Sequence, residues 1–408
     1  MILSTVKRSL LLPRKLRRRL IQFLALFVLL WSTAEVLLIR HRILEVDARP
    51  PATLPRQERI YVASIHWNNE NVLRNYWNDA VVDLARALGP ENIYLSVFES
   101  GSWDDTKGAL RDLDVMLDRI GVSRNITVSD ITHDDEISAK PAEHGWIDTS
   151  RGKKELRRIP YLARLRNLSL QPLHQLLLEG ETFDRVLFLN DVVFTKDDVI
   201  NLISTNNGEY GAACSLDFSK PPLYYDTFAL RDSQGHEHLM QSWPFFRSKK
   251  SRNAMKALSP VPVASCWNGM VAMPAKPFMS NPPLEFRGVP DSLSAFHVEG
   301  SECCLIHADN PLSKERGVFV NPNVRVGYNG PAYAAVHPAQ HWLSSWRIMW
   351  SIWESRVRRL FTSPILKEWL IHRRVGAWEG LNEQNVEPGE FCLINEMQVL
   401  ITNGWAHV

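Results

Sequence analysis

Thr182-Phe-Asp-Arg-Val-Leu-Phe-Leu-Asn-Asp-Val-Val-Phe194 runs a short apolar strand, Val186 to Leu189, directly into Asn190 and Asp191. Lys196-Asp-Asp198 then opens an apolar-periodic segment, Val199 to Ile203, which reads as a helix. The unit is strand, polar turn, helix. In an open α/β sheet, ligands bind beyond the carboxyl ends of the strands, so polar residues at this point mark a candidate site. A carboxylate so placed suits Mg²⁺ or Mn²⁺, hard cations that take oxygen ligands and share them with substrate phosphates. The plain alternative is an Asn-Asp turn after a core strand, since both residues are ordinary in turns.

Upstream, the same alternation recurs. Ile60 to Ile65 and Ile93 to Phe98 read as strands, with a helix between them that ends at Leu88. Asp104 or Asp105 caps a second helix that ends at Gly121, and Ile126 to Val128 forms a third strand. This βαβαβ pattern predicts an α/β fold with a mainly parallel, Rossmann-type sheet that binds a nucleotide-like ligand at its switch point. No Gly-x-Gly-x-x-Gly, Walker loop or Gly-x-Ser-x-Gly elbow is present. Dinucleotide, P-loop and α/β-hydrolase chemistry are therefore unsupported.

The N-terminus sets the compartment. Lys7, Arg8, Arg14, Lys15 and Arg17 to Arg19 precede a largely apolar stretch, 20–39, long enough for one transmembrane helix, with Glu35 near its end. The basic excess predicts a cytoplasmic tail at 1–19 and a signal-anchor at 20–39. Residues 40–58, with Pro50, Pro51 and Pro55, read as an extended stem. Of 47 Lys/Arg and 45 Asp/Glu, 11 and 4 precede Arg59, leaving a mildly acidic remainder and no reason to expect nucleic acid as a partner. Five cysteines, Cys214, Cys266, Cys303, Cys304 and Cys392, allow one or two disulfides whose pairing the sequence leaves open, and adjacent Cys303 and Cys304 lack zinc-ligand spacing. Asn125 and Asn167 begin glycosylation sequons.

Five blocks occur in a fixed order: Ile159-Pro-Tyr-Leu-Ala-Arg-Leu-Arg-Asn167, Leu187 to Phe194, Tyr225-Asp-Thr-Phe-Ala-Leu-Arg-Asp232, Cys266-Trp-Asn-Gly-Met270 and Ser301-Glu-Cys-Cys-Leu-Ile-His-Ala-Asp309. Together they resemble the fungal capsule-associated α-1,3-mannosyltransferase family across about 59–335. The resemblance implies a glycosyltransferase-A-like mixed-sheet domain in a single-pass type II Golgi membrane protein. It further implies GDP-mannose as donor, a mannose-containing glycan as acceptor, and Mn²⁺ or Mg²⁺ as cofactor. Enzymes of that fold commonly carry Asp-x-Asp here, whereas this chain offers Asn190-Asp191-Val192.

Asp191 is accordingly the leading metal ligand, with Asn190 a neutral ligand or sugar contact. His307 is the candidate distant ligand, or else a core histidine. Arg164 and Arg166 offer planar forks to a diphosphate, or form a solvated face. Asp226, Arg231 and Asp232 bind sugar hydroxyls or lock a loop. Trp267 and Asn268 resemble a sugar platform, Trp267 alone being ordinary core. Glu302 stabilises charge at the reacting sugar, or pairs with an arginine. Were the product β-linked, Glu302 or Asp217 would serve as the base. The rival to a retaining transferase is a non-catalytic component of glycan assembly with the same fold. Past residue 335, Trp342, Trp346, Trp350 and Trp353 recur at helical spacing, as core or as an amphipathic membrane-facing helix. The stretch 336–408 is expected to pack on the domain as a Trp/Arg-rich extension.

Overall fold

The computed structural model describes residues 13–50, 52–53, 56–338 and 342–408; Lys7 and Arg8 of the basic tail, and Pro51 and Pro55, lie outside them. Helix α1 (Arg14–Asp47) is long and apolar enough to cross a membrane. It does not stop at Ile39 to release an extended stem. Residues 40–47 continue the helix because its inner face has a partner: Val36, Ile39 and Ile43 are buried in the main core, and Arg325 donates to Asp47 Oδ1 at 3.1 Å. Glu35, awkward in an apolar stretch, accepts Lys256 Nζ at 2.6 Å and Arg356 Nη2 at 2.5 Å.

The βαβαβ unit forms as read. Strand β1 (Ile60–His66), helix α2 (Asn78–Leu88), strand β2 (Ile93–Ser100), helix α3 (Thr106–Asp118) and strand β3 (Ser123–Ser129) follow in order. Both strand pairs are parallel. Asp105 caps α3 by accepting from the Gly108 amide, which satisfies one of the helix's free first-turn N–H groups. Next come α4 (Arg158–Leu178), β4 (Arg185–Leu189), α5 (Lys196–Ile203), β5 (Ala212–Lys220), β6 (Val261–Ser265) and β7 (Met270–Pro274). Helix α6 (Glu302–Asp309), strand β8 (Val318–Gly327), helices α7 (Ser345–Phe361) and α8 (Ile365–Glu379), and the hairpin β9 (Gln398–Ile401) with β10 (Gly404–His407) complete the chain.

The sheet order is β3-β2-β1-β4-β7-β5-β8-β6, with Arg231–Asp232 at the far edge. β4 pairs with β1 in parallel and with β7 antiparallel. All five β4 residues are buried. Their alternation explains this: Val186 and Phe188 enter the core on one face, Leu187 and Leu189 the core on the other. The mixed α/β sheet is therefore covered on both sides, and β4 reads as an unbroken apolar run.

Antiparallel β7 brings the Cys266–Met270 block to the polar end of β4. Met270 faces Leu189 in register, and the Asn190 amide donates to Gly269 O at 2.9 Å. Gly269 has φ of 80°, and a Cβ there would lie 2.5 Å from Val326 Cγ2, so this crossing requires glycine. Cys214 and Cys266 form a disulfide between β5 and the loop before β7, and Cys304 and Cys392 join α6 to the C-terminal region. Cys303 is buried and unpaired.

Candidate active site

The carboxyl end of β4 opens beside a pocket of about 460 Å³. Asn190, Arg158, Arg166, Asp226, Trp267 and Glu302 line it, and the C-terminal residues Gln398, Trp405 and His407 close its other wall. All five sequence blocks thus meet in the pocket wall. A further contact, from the C-terminal hairpin, has no counterpart among them.

Arg166 organises the floor. It projects from α4, where Nε donates to Glu302 Oε1 at 3.0 Å while the guanidinium lies 4.7 Å from the Trp267 ring centre. A guanidinium stacked on indole and bonded to carboxylate is fixed in two directions. Glu302 begins α6, and Cys303 Sγ adds a 3.2 Å contact to the same Oε1. Trp267 is almost fully buried, packed against Phe188 and Phe286 with one edge to the pocket. Its role here is first a support for Arg166.

Two aspartates lie alongside, Asp217 fully buried and Asp226 half-buried. Asp217, on β5, accepts from the Asp226 amide at 3.1 Å and from Tyr328 OH at 3.0 Å. Asp226 accepts from the amides of Phe228 and Ala229 at 3.1 and 3.3 Å. Burial first, and for Asp217 the neighbouring Asp226 charge next, pushes Asp217 up to about 7; burial likewise pushes Asp226 up to about 6. Asn268 donates to Tyr224 OH and to Asp226 O, so it holds the Asp226 turn from behind instead of reaching a sugar.

Asp191, next to Asn190, faces the loop that follows β1. Its Oδ2 accepts from Asn69 Nδ2 at 2.9 Å, and burial raises its pKa. Asn69 is itself fixed, since its Oδ1 accepts from the Trp67 amide at 3.0 Å. Among the described residues, the one convergence of three His, Cys, Asp or Glu ligand atoms is Cys214, Cys266 and His307, where two sulfurs are joined in a disulfide. Asp191 therefore offers a single carboxylate oxygen set, which fits a hard divalent cation held largely by a donor's phosphates and no all-protein cage.

Several expected site residues lie elsewhere. His307 is buried with Nε2 2.7 Å from Cys266 O, and burial pushes its pKa down to about 4, so it is a core histidine behind the Trp267 loop. Arg164 points outward, pairs with Glu136 at 2.5 Å and stacks on Tyr161. Arg231 reaches the pocket wall, but its guanidinium is spent on the carbonyls of Phe228, Leu230, Phe391 and Cys392. Asp232 is fully buried and accepts from the amides of Gln234, His236 and Ser248. This pair locks the loop through backbone groups. Asn167 uses both ends of its amide on the Phe286 backbone, whereas Asn125 is exposed on β3.

Sequence reading missed Arg158, Gln398 and Trp405. Arg158 donates to Gln398 Oε1 at 2.6 Å and lies 4.8 Å from the Trp405 ring centre. Its position immediately before the Ile159 block was the available signal; the hairpin residues carried none.

Residues 59–309 match a family model described as cryptococcal mannosyltransferase 1. The alpha-1,3-mannosyltransferase CMT1 of Cryptococcus neoformans var. neoformans serotype D is 28% identical over 274 residues, 61% of this chain and 53% of that protein. The chain thus spans about half the length of this curated relative. Among solved structures, the mannosyltransferase PcManGT from Pyrobaculum calidifontis, in complex with GDP-Man and Mn²⁺, is 12% identical with a TM-score of 0.38, over 90% of this chain and 88% of that one. S. aureus TarS 1–349 is 11% identical with a TM-score of 0.35, over 80% and 73%. At these scores neither structural likeness bears on chemistry.

Proposed function

The chain belongs to the cryptococcal mannosyltransferase 1 family, and from that premise we propose a retaining α-1,3-mannosyltransferase that moves mannose from GDP-mannose to a mannose-containing glycan. The observation that carries the proposal is the Arg166–Glu302 pair on Trp267, facing Asn190 across one pocket. Carboxylate and guanidinium are presented together where a sugar diphosphate would break. Arg158 and Arg166 face the departing diphosphate with planar donors, which favours charge developing on its oxygens. Glu302, positioned by Arg166, stabilises positive charge at the sugar.

In a retaining transfer the diphosphate oxygen takes the acceptor hydroxyl's proton on the face it leaves, so the protein need not supply a base. Positioning and electrostatics then carry catalysis. Mn²⁺ or Mg²⁺, held through Asp191 and the diphosphate, would supply Lewis-acid stabilisation of the leaving group. The acceptor's wall is the C-terminal hairpin, where Trp405 gives a sugar an apolar surface and Gln398, bonded to Arg158 and Glu396, holds that wall in place.

The setting we propose is the Golgi membrane, with α1 as a single-pass type II anchor and the domain lumenal; exposed Asn125 supports a lumenal face. The non-catalytic reading has one observation in its favour, the turn of Asp191 toward Asn69. Purified full-length protein assayed against a panel of nucleotide sugars, with and without Mn²⁺, separates the two. Metal-dependent transfer from GDP-mannose is expected, and a folded protein inert with every donor would support the scaffold.

A further inference from the structure

Helix α7 lies antiparallel along α1. Arg40 Nη1 donates to Ser345 Oγ at 2.9 Å near one end, and Trp353 Nε1 donates to Ser32 Oγ at 3.2 Å further along. Arg356 then bonds Glu35 and lies 4.6 Å from the Trp31 ring centre. Advancing along α7 thus descends α1 toward its N-terminus. Phe361 is five residues past Arg356, which at the helical rise is about 7.5 Å further down, beside the apolar stretch above Leu26. The α7–α8 turn at that depth is unusually bare: Leu360, Phe361, Ile365 and Leu366 are 80%, 82%, 70% and 79% exposed. Four large apolar residues end a helical hairpin beside α1, the one helix among the described residues able to span a membrane, and lipid suits them. Around them Arg247 donates to Thr362 O at 2.9 Å, and Arg358, Arg359 and Lys367 flank the turn, a basic collar suited to anionic headgroups.

We propose that the α7–α8 turn inserts Leu360, Phe361, Ile365 and Leu366 into the headgroup–acyl boundary of the bilayer that α1 crosses, fixing the height and tilt of the domain. The proposal rests on α1 being a membrane span. Penetration of about 5–10 Å, as for interfacial helices, matches the offset of about 7.5 Å between Phe361 and Arg356, whose partner Glu35 marks the water side. The ion pairs of Glu35 with Lys256 and Arg356 then lie at the water-facing side of the boundary.

Full-length protein carrying a single NBD-labelled cysteine, in vesicles of phosphatidylcholine with one-fifth phosphatidylserine, tests this. Cys303 is buried and leaves labelling to the introduced thiol. Phe361→Cys is compared with Leu26→Cys in α1 and with Leu178→Cys, a site 89% exposed on the domain. The Phe361 label should be quenched by doxyl lipid at least twofold more than the Leu178 label and be shielded from iodide, with Leu26 deepest. If Phe361 behaves as Leu178 does while Leu26 is lipid-quenched, the insertion is wrong and the anchor stands. If Leu26 is also open to iodide, the anchor fails and takes the proposal with it. Shielding of Phe361 from both quenchers that fades on dilution of the protein would mean that a second copy covers the turn, which also overturns it.

Discussion

Arg166 Nε and Glu302 Oε1 are 3.0 Å apart, and the same guanidinium rests 4.7 Å from the centre of the Trp267 ring. This arrangement ties α4, the loop before β7 and the start of α6 to one point. Glu302→Gln keeps an oxygen for Arg166 and removes the charge. kcat should fall about 100-fold with donor KM nearly unchanged, because the lost interaction is made chiefly in the transition state. The pH–rate profile should keep its acidic limb, and loss of that limb in the variant would make Glu302 a base.

Asp191→Asn should leave the fold intact, since the apolar strand β4 ends before it. Activity should drop by at least about 100-fold if the metal contributes several kcal/mol to the departing diphosphate. Titration with Mn²⁺ in the presence of GDP, followed by electron paramagnetic resonance, gives a second readout. Unchanged affinity and turnover would remove Asp191 from the metal site.

Asp217 makes stability depend on pH. Burial pushes its folded pKa up to about 7, above the ordinary carboxylate range, so the folded state binds the proton more tightly than the unfolded chain does. Its contribution is full below pH 4 and is lost as pH rises through 7. Asp217→Asn should flatten the fall in Tm between about pH 4 and pH 7 in metal-free buffer; an unchanged slope would show that Asp217 ionises freely in the fold.

The C-terminal hairpin should govern acceptor binding chiefly. Trp405→Ala is expected to raise acceptor KM about tenfold, worth roughly 1.4 kcal/mol, with a smaller rise in donor KM through Arg158, which rests on the ring. A rise confined to donor KM would put the acceptor elsewhere.

How much of this could be read from the chain differs from element to element. β4 and its Asn190–Asp191 exit were legible because a doubly buried strand writes itself as a local apolar run, Val186 to Leu189. The parallel β1, β2 and β3 and the Asp105 cap were legible for the same local reason. The insertion of antiparallel β7 between β4 and β5 was not, since strand order is decided by contacts distant in sequence. Arg231 and Asp232 drew a ligand reading from their charge, yet their partners are backbone groups that no motif reveals. His307 gave no sign that the Cys266 carbonyl would claim its ring. The Trp405 wall depends on the hairpin folding back over a region tied down by the Cys304–Cys392 bridge, and pairing cannot be deduced from cysteine spacing. Residues 40–47 looked like a stem because Arg and Pro dominate around them; Ile43 found a buried partner surface and carried the helix on.

The central claim is retaining transfer from GDP-mannose in the pocket built on Arg166, Glu302 and Trp267. The most direct measurement is NMR of the product made by the full-length protein from GDP-mannose and a defined α-mannoside acceptor. The anomeric signal of the new residue should report an α linkage, made through O3 of the acceptor. A β-linked product would contradict the mechanism and make Glu302 or Asp217 the base.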